Sequence, residues 1–324
     1  MDIAGVAHLA AIESSVPFMH FFDGFRTSHE IQKVEVMDYE IFKNLLDWDA
    51  VQAFRERALS FEHPVTRGSA QNDDVYFQTR EIQNKYYDKV ADVVADYMEK
   101  ISEVTGRTYA PFVYHGAPDA TDVIVAMGSV NDTLKETVDY LNAQGKKVGC
   151  VAVHLYRPFA KEYLFKVLPN TVERIAVLDR TKEPGSLGEP LYLDVCAAYN
   201  GKKAPFIIGG RFGLSSRDTT PAQMIAVFDH LAKEGHNNFT VGINDDVTHL
   251  SLELEEEMQK AIKQAIQEMD FNTQLNVNLS KKIDSALRDE MRDQIRNRIW
   301  NVFDRMTVSV DITDRTGASS ITHT

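Results

Sequence analysis

The sequence predicts an α/β protein with a parallel sheet at its centre, part of a second α/β domain before it and an α-helical tail after it. Three observations predict this. Between residues 123 and 243, short and nearly continuous apolar runs alternate with amphipathic stretches. That is the pattern of strands covered on both faces and joined by helices. Ahead of them lies an apolar run, PFMHFF at 17–22, that breaks at Asp23-Gly24. Beyond residue 250 the apolar period becomes helical, with mixed charge on the opposite face.

Taken in order, residues 2–14 predict a helix with Val6, Leu9, Ala10 and Glu13 at helical spacing, and no capping residue opens it. The chain is therefore expected to enter a domain partway. Residues 17–22 predict a first strand and 31–37 an edge-like second one. Asp38 is placed to cap a helix that carries Phe42, Leu45, Leu46 and Phe54. Residues 61–80 have no period and predict a long loop that is either functional or a packed arm. Residues 81–105 predict a long helix with Val90, Val94, Tyr97, Met98 and Ile101 on one face, ended by Gly106. Five strands are then expected at 123–127, 148–155, 174–178, 205–208 and 239–243. Helices are expected between them at 133–143, 160–168, 189–199 and 221–233, which implies parallel pairing through right-handed crossovers. Two amphipathic helices are expected at about 250–269 and 281–306, followed by a polar tail.

Composition excludes several function classes. The net charge of −13 argues against a broad nucleic-acid surface. No apolar run is long enough to span a membrane, and the N-terminus lacks the basic region of a secretory signal, so cytoplasm is the expected compartment. The two cysteines, Cys150 and Cys196, lie in apolar runs and cannot build a four-thiolate metal site. They are expected to be buried thiols. No metal-ligand spacing and no hydrolase motif occurs.

Residues with chemistry collect where strands are expected to end. Arg26, His29 and Glu30 follow the 17–22 run. Arg26 suits a carboxylate or phosphate, and His29 suits proton relay near neutral pH. The other reading is an ion-pair network of Asp23, Arg26 and Glu30 bracing a loop. Gly128-Ser129 follows a strand and precedes a helix, where backbone N–H groups can meet an anion, or it is a simple tight turn. Arg180 and Lys182 follow the 174–178 strand, in a ligand crevice or in a salt-bridged loop. Gly209-Gly210-Arg211-Phe212-Gly213 follows another expected strand and permits close backbone approach without resembling a phosphate loop.

Six separated stretches occur in order: HFFDGFRTSHEIQK, RGSAQNDDVYFQTRE, YHGAPDATDVIVAMGS, VHLYRPF, LDRTKEPGSLGEPLYLDV and FTVGINDDVTHLSL. Together they resemble pyruvate:ferredoxin (flavodoxin) oxidoreductases across roughly residues 2–252. The resemblance implies that residues 1–110 are the C-terminal part of a pyrimidine-binding domain. It implies that 111–252 form a Rossmann-like domain similar to the C-terminal domain of transketolases, and it leaves 253–324 unmatched. For the whole enzyme it implies oxidative decarboxylation of pyruvate with thiamine diphosphate, Mg2+, [4Fe-4S] clusters and coenzyme A, and electrons passed to ferredoxin or flavodoxin. The cluster cysteines and the diphosphate- and magnesium-binding motif are not in this sequence. The chain is thus expected to act with the enzyme's other domains or a second copy of itself, as a homo-oligomer, and not to be active alone. The alternative is a non-catalytic scaffold that pairs through the helix at 281–306.

Overall fold

The computed structural model describes residues 1–254, apart from 30, 32, 33, 66, 67, 69, 245 and 246, together with 308–314 and 317–323. The chain divides into two compact units. One comprises Met1–Asp23, Ile31–Val113 and Ala152–Leu168, and the other Gly24–Glu30, Tyr114–Val151 and Pro169–Thr324.

The first unit is built on two helices, α1 (Asp2–Ser14) and α6 (Asn84–Thr105). Val6, Leu9 and Ala10 of α1 share a core with Val90, Val94, Tyr97, Met98 and Ile101 of α6. Those are the apolar positions that the sequence spacing set on one face. Each fully buried side chain of this size contributes about 1.5–3 kcal/mol. Tyr97 buries its ring and donates its hydroxyl to Glu13 Oε2 at 2.6 Å, so the polar tip is not orphaned.

Asp2 anchors the start of α1. Its Oδ2 accepts from Arg107 Nε at 2.7 Å and from the Tyr109 hydroxyl at 2.8 Å. Burial pushes the Asp2 carboxyl up, and the bonds from Tyr109 and Arg107 outweigh it and hold the group below its ordinary value of 3.8. A carboxylate with a depressed folded pKa stabilises fully above the unfolded value and loses that contribution as pH falls through the folded one. Thermal midpoints of the native chain and Asp2→Asn should therefore differ most above pH 4 and converge below it. A gap that is the same at every pH would show that the charge is not what matters.

Between these helices lie α3 (Tyr39–Leu45) and α4 (Trp48–Glu56). Asp38 caps the first, accepting from Glu40 N at 3.0 Å, and Asp47 caps the second, accepting from Ala50 N at 2.9 Å. The second cap splits what the apolar spacing joined into one helix. A further helix, α5 (Tyr76–Ile82), closes the 61–80 loop. Residues 17–22, expected as a strand, belong to no helix or strand, and the described part of 31–37 likewise. The described residues before Phe112 form helices only. An apolar run without a neighbouring strand has no ladder in which to place its N–H and C=O groups.

The second unit carries most of a six-stranded sheet of order β1-β3-β2-β4-β5-β6. The strands are β1 (Phe112–Gly116), β2 (Asp122–Ala126), β3 (Val148–Val153), β4 (Arg174–Asp179), β5 (Phe206–Arg211) and β6 (Phe239–Thr240). β2, β4, β5 and β6 pair in parallel. The five expected strands and four expected helices are present as β2–β6 with α7 (Val130–Ala143), α8 (Lys161–Val167), α9 (Pro190–Ala198) and α10 (Pro221–Ala232). β1 was not expected. Its sequence, FVYHG, buries only Phe112 fully, so it lacks the apolar run that marked the others.

Ile124 and Ala126 of β2 and Ala176 and Leu178 of β4 share one core with Leu134 and Val138 of α7 and Met224, Val227 and Leu231 of α10. α9 packs on β4 and β5 and buries Leu191 and Val195. Thr220 opens α10 with a reciprocal cap: its hydroxyl accepts from Gln223 N, and the Gln223 side chain accepts from Thr220 N.

The helices expected at about 250–269 and 281–306 lie outside the described residues. The final stretch, expected to alternate briefly and then become a polar tail, forms an antiparallel hairpin of β7 (Val308–Asp314) and β8 (Gly317–His323), with Val308 opposite His323. No described helix is long and apolar enough to cross a membrane.

Candidate functional site

The strand order places one position of the sheet apart. β3 follows β2 and lies on one side of it, while β4 lies on the other. The chain thus reverses its direction across the sheet between β2 and β4, which pair with Ala126 opposite Leu178. In parallel sheets the carboxyl ends at such a reversal leave a crevice for ligands. Two loops that the sequence singled out, Gly128-Ser129 after β2 and the run from Arg180 to Lys182 after β4, leave these adjacent strand ends.

The first loop is a turn. Gly128 has φ +82°, a conformation that suits glycine. Ser129 precedes α7 without a side-chain capping bond. The turn is tied by Asn131, whose Nδ2 donates to Gly128 O at 2.9 Å and to Ala126 O at 3.3 Å. The Oδ1 of this buried asparagine has no hydrogen-bond partner in the structure.

The second loop is a charge network. Asp179, the last residue of β4, accepts the N–H groups of Leu191 and Tyr192 at 3.0 Å each. It thereby holds the first turn of α9, where Pro190 has no N–H to offer. Burial pushes the Asp179 carboxyl above its ordinary value. The two N–H bonds oppose that shift, and the charges of Glu189 and Asp194 add to it.

Glu189 and Arg211 are each 5% exposed and meet at 3.3 Å. Arg211 also donates to Asn238 O at 3.0 Å and to the Asn238 side-chain oxygen. Lys182 Nζ approaches the other Glu189 oxygen at 3.6 Å, and Glu183 N donates to it at 3.3 Å. Arg180 Nε donates to Gly213 O at 2.8 Å. Both candidate cations of this loop therefore have protein partners within the same unit. The pairing of Glu189 with Arg211 was not foreseen by sequence reasoning, which named Arg211 only within the Gly209–Gly213 run. The available signal was an arginine closing the otherwise apolar run FIIGGR, which needs a buried acid.

The third sequence candidate gathers less. α2 (Arg26–His29) is a single turn. His29 is exposed and turns its Nδ1 onto Phe25 O, with the two rings 5.6 Å apart. Ser28 Oγ donates to the same carbonyl at 2.9 Å. Glu30 and the side chain of Arg26 lie outside the described residues, and with them the ion-pair reading of this loop.

Among the described residues no three His, Cys, Asp or Glu side chains gather to hold a metal ion. Cys150 is buried, and burial pushes its thiol up to about 12, so it carries no thiolate at neutral pH. Cys196 is only half-buried, and burial raises its pKa as well.

Residues 1–99 match the family model "Pyruvate flavodoxin/ferredoxin oxidoreductase, thiamine diP-bdg". Residues 120–224 match "Pyruvate:ferredoxin oxidoreductase core domain II". A pyruvate-flavodoxin oxidoreductase of Enterobacter agglomerans is 59% identical over 258 residues, which are 79% of this chain and 22% of that protein. A pyruvate:ferredoxin oxidoreductase of Moorella thermoacetica is 57% identical over 259 residues, again 79% of this chain and 22% of that one. Among solved structures, a 2-oxoglutarate:ferredoxin oxidoreductase from Magnetococcus marinus aligns with a TM-score of 0.32 and 15% identity, covering 51% of this chain and 24% of that one. The chain thus spans about a fifth of the length of the curated relatives it matches. Matched by the two family models over more than half of its length, and by these relatives at well above half identity, the chain belongs to the pyruvate:ferredoxin (flavodoxin) oxidoreductase family.

Proposed function

We propose that this chain works as one part of a pyruvate:ferredoxin (flavodoxin) oxidoreductase and does not contain a complete active site. One observation carries the reading: 59% identity runs along 79% of the chain yet takes in 22% of the relative. In this reading residues 1–110 are the closing part of the pyrimidine-binding domain, 111–252 the transketolase-C-like domain, and 253–324 a tail not matched to the family. The whole enzyme, a cytoplasmic oligomer, decarboxylates pyruvate on thiamine diphosphate and Mg2+. It passes electrons through [4Fe-4S] clusters to ferredoxin or flavodoxin and the acetyl group to coenzyme A.

The described residues do not fit those groups by themselves. A [4Fe-4S] cluster takes four thiolates, and the chain has two cysteines, one of them in the core of the sheet. No acidic cluster is available for Mg2+ among the described residues. No step through these groups is assigned to this chain. Its own contributions are positional. By sequence position, Arg26, His29 and Glu30 are the candidates for contact with substrate or with a neighbouring domain. Gly128, Ser129, Arg180 and Lys182 form the rim of the β2/β4 crevice, and the partners of Arg180 and Lys182 favour a bracing role there over direct cofactor contact.

The test is reconstitution. The chain is combined with the Enterobacter agglomerans enzyme from which the matching 22% has been removed, and pyruvate-dependent reduction of flavodoxin is followed. Neither component should act alone, and the mixture should.

A further inference from the structure

The chain has one Asn-Gly step, Asn200-Gly201. It lies in the turn that joins the end of α9 to β5, and both residues are exposed. Two backbone bonds frame it. Asn200 N donates to Ala197 O at 3.0 Å, and Lys202 N donates to Tyr199 O at 2.9 Å. The N–H between them, that of Gly201, has no acceptor among the described residues, and the Asn200 side-chain amide has no partner there either. Gly201 has φ +78°, in the left-handed region that glycine enters without strain. A Cβ built on it would meet no atom within 4 Å, so the space around this peptide group is open.

Other asparagines of the same unit are held. Asn131 is buried, and its Nδ2 donates to Gly128 O. The Nδ2 of Asn142 donates to Val148 O at 3.0 Å, and that of Asn237 to the Tyr192 hydroxyl at 3.1 Å. Each of the three is followed by a residue with a side chain, Asp132, Ala143 or Asn238, which hinders approach to the following nitrogen. Asparagine is among the thermolabile residues, and at Asn200 neither burial, nor a hydrogen bond, nor a following side chain protects it.

We infer that Asn200-Gly201 is a site of spontaneous deamidation and isoaspartate formation. The Gly201 nitrogen attacks Asn200 Cγ. The N–Cγ bond forms, the Cγ–Nδ2 bond breaks, and Nδ2 leaves as ammonia with the proton that the Gly201 nitrogen carried. Water then opens the cyclic imide. Cleavage of the new N–Cγ bond gives aspartate. Cleavage between the nitrogen and the Asn200 backbone carbonyl carbon gives isoaspartate, with the main chain running through Cβ and Cγ. No atom is oxidised or reduced. Either product adds a carboxylate beside Lys202 and Lys203, and isoaspartate also lengthens the link between α9 and β5 by a methylene.

The experiment holds the purified chain at mildly alkaline pH, folded and in urea. Samples are taken over time for peptide mapping by mass spectrometry and for enzymatic methylation of isoaspartyl carboxylates. The folded chain should show the mass gain of an amide-to-acid exchange at residue 200. Its rate should lie within about tenfold of that in urea, because exposed turns open at little cost. Asn131 should change only in urea. Asn200→Gln, with folding checked by circular dichroism, should abolish methylation of the folded chain. A folded chain that keeps the Asn200 amide while the unfolded chain loses it would overturn the inference, since the turn would then shield the site. Methylation that persists in folded Asn200→Gln would overturn the assignment to this asparagine.

Discussion

Arg211→Met should destabilise the sheet unit by about 3–5 kcal/mol, read as a lowered urea midpoint. The substitution keeps most of the side chain's volume and removes the charge together with its N–H donors. Glu189 is then left 5% exposed without its buried partner, and Asn238 O loses the donor at 3.0 Å. Lys182 cannot replace Arg211, because it sits 3.6 Å from the far Glu189 oxygen and is 44% exposed, where screening weakens ion pairs. The double variant Arg211→Met with Glu189→Leu should recover most of the loss, since replacing both members of a buried pair by apolar groups is often close to neutral. If the single substitution costs under about 1 kcal/mol, the pair is not what holds the loop after β4 in place.

The second large effect is steric. A Cβ on Gly210 would stand 2.2 Å from ring atoms of Phe239, which is fully buried in the sheet core. Gly210 and Phe239 pair across β5 and β6, so the ring covers the bare backbone. Gly210→Val should cost about 1–3 kcal/mol or more through overpacking. Phe239→Ala alone should cost about 3–5 kcal/mol. The double variant should cost less than the two together, because the valine fills part of the space the ring vacates; contacting residues couple by about 0.5–3 kcal/mol. Strict additivity would contradict the contact.

The residues that announced themselves in the sequence are those whose environment is local. Val123 to Val125 and Ile175 to Leu178 read as strands because both faces of the sheet are covered and every position is apolar. Val90, Val94, Tyr97 and Ile101 read as one face of a helix because α1 packs along that face. β1 was hidden because an edge strand needs no continuous apolar run. Residues 17–22 misled for the opposite reason: they are apolar, yet the described residues offer them no partner strand. The candidate site divides in the same way. The turn at Gly128 and the loop after β4 were legible as strand ends. The Arg211–Glu189 pair, 22 residues apart in sequence, was not legible, because only the parallel order of β4 and β5 brings it together.

Reconstituted turnover tests most directly whether this chain is one part of a larger enzyme. Pyruvate-dependent flavodoxin reduction is measured for this chain, for the Enterobacter agglomerans enzyme lacking the matching region, and for the two mixed. Activity is expected in the mixture and in neither component alone. Turnover by this chain alone, or an inactive mixture in which the complex has formed, would contradict it.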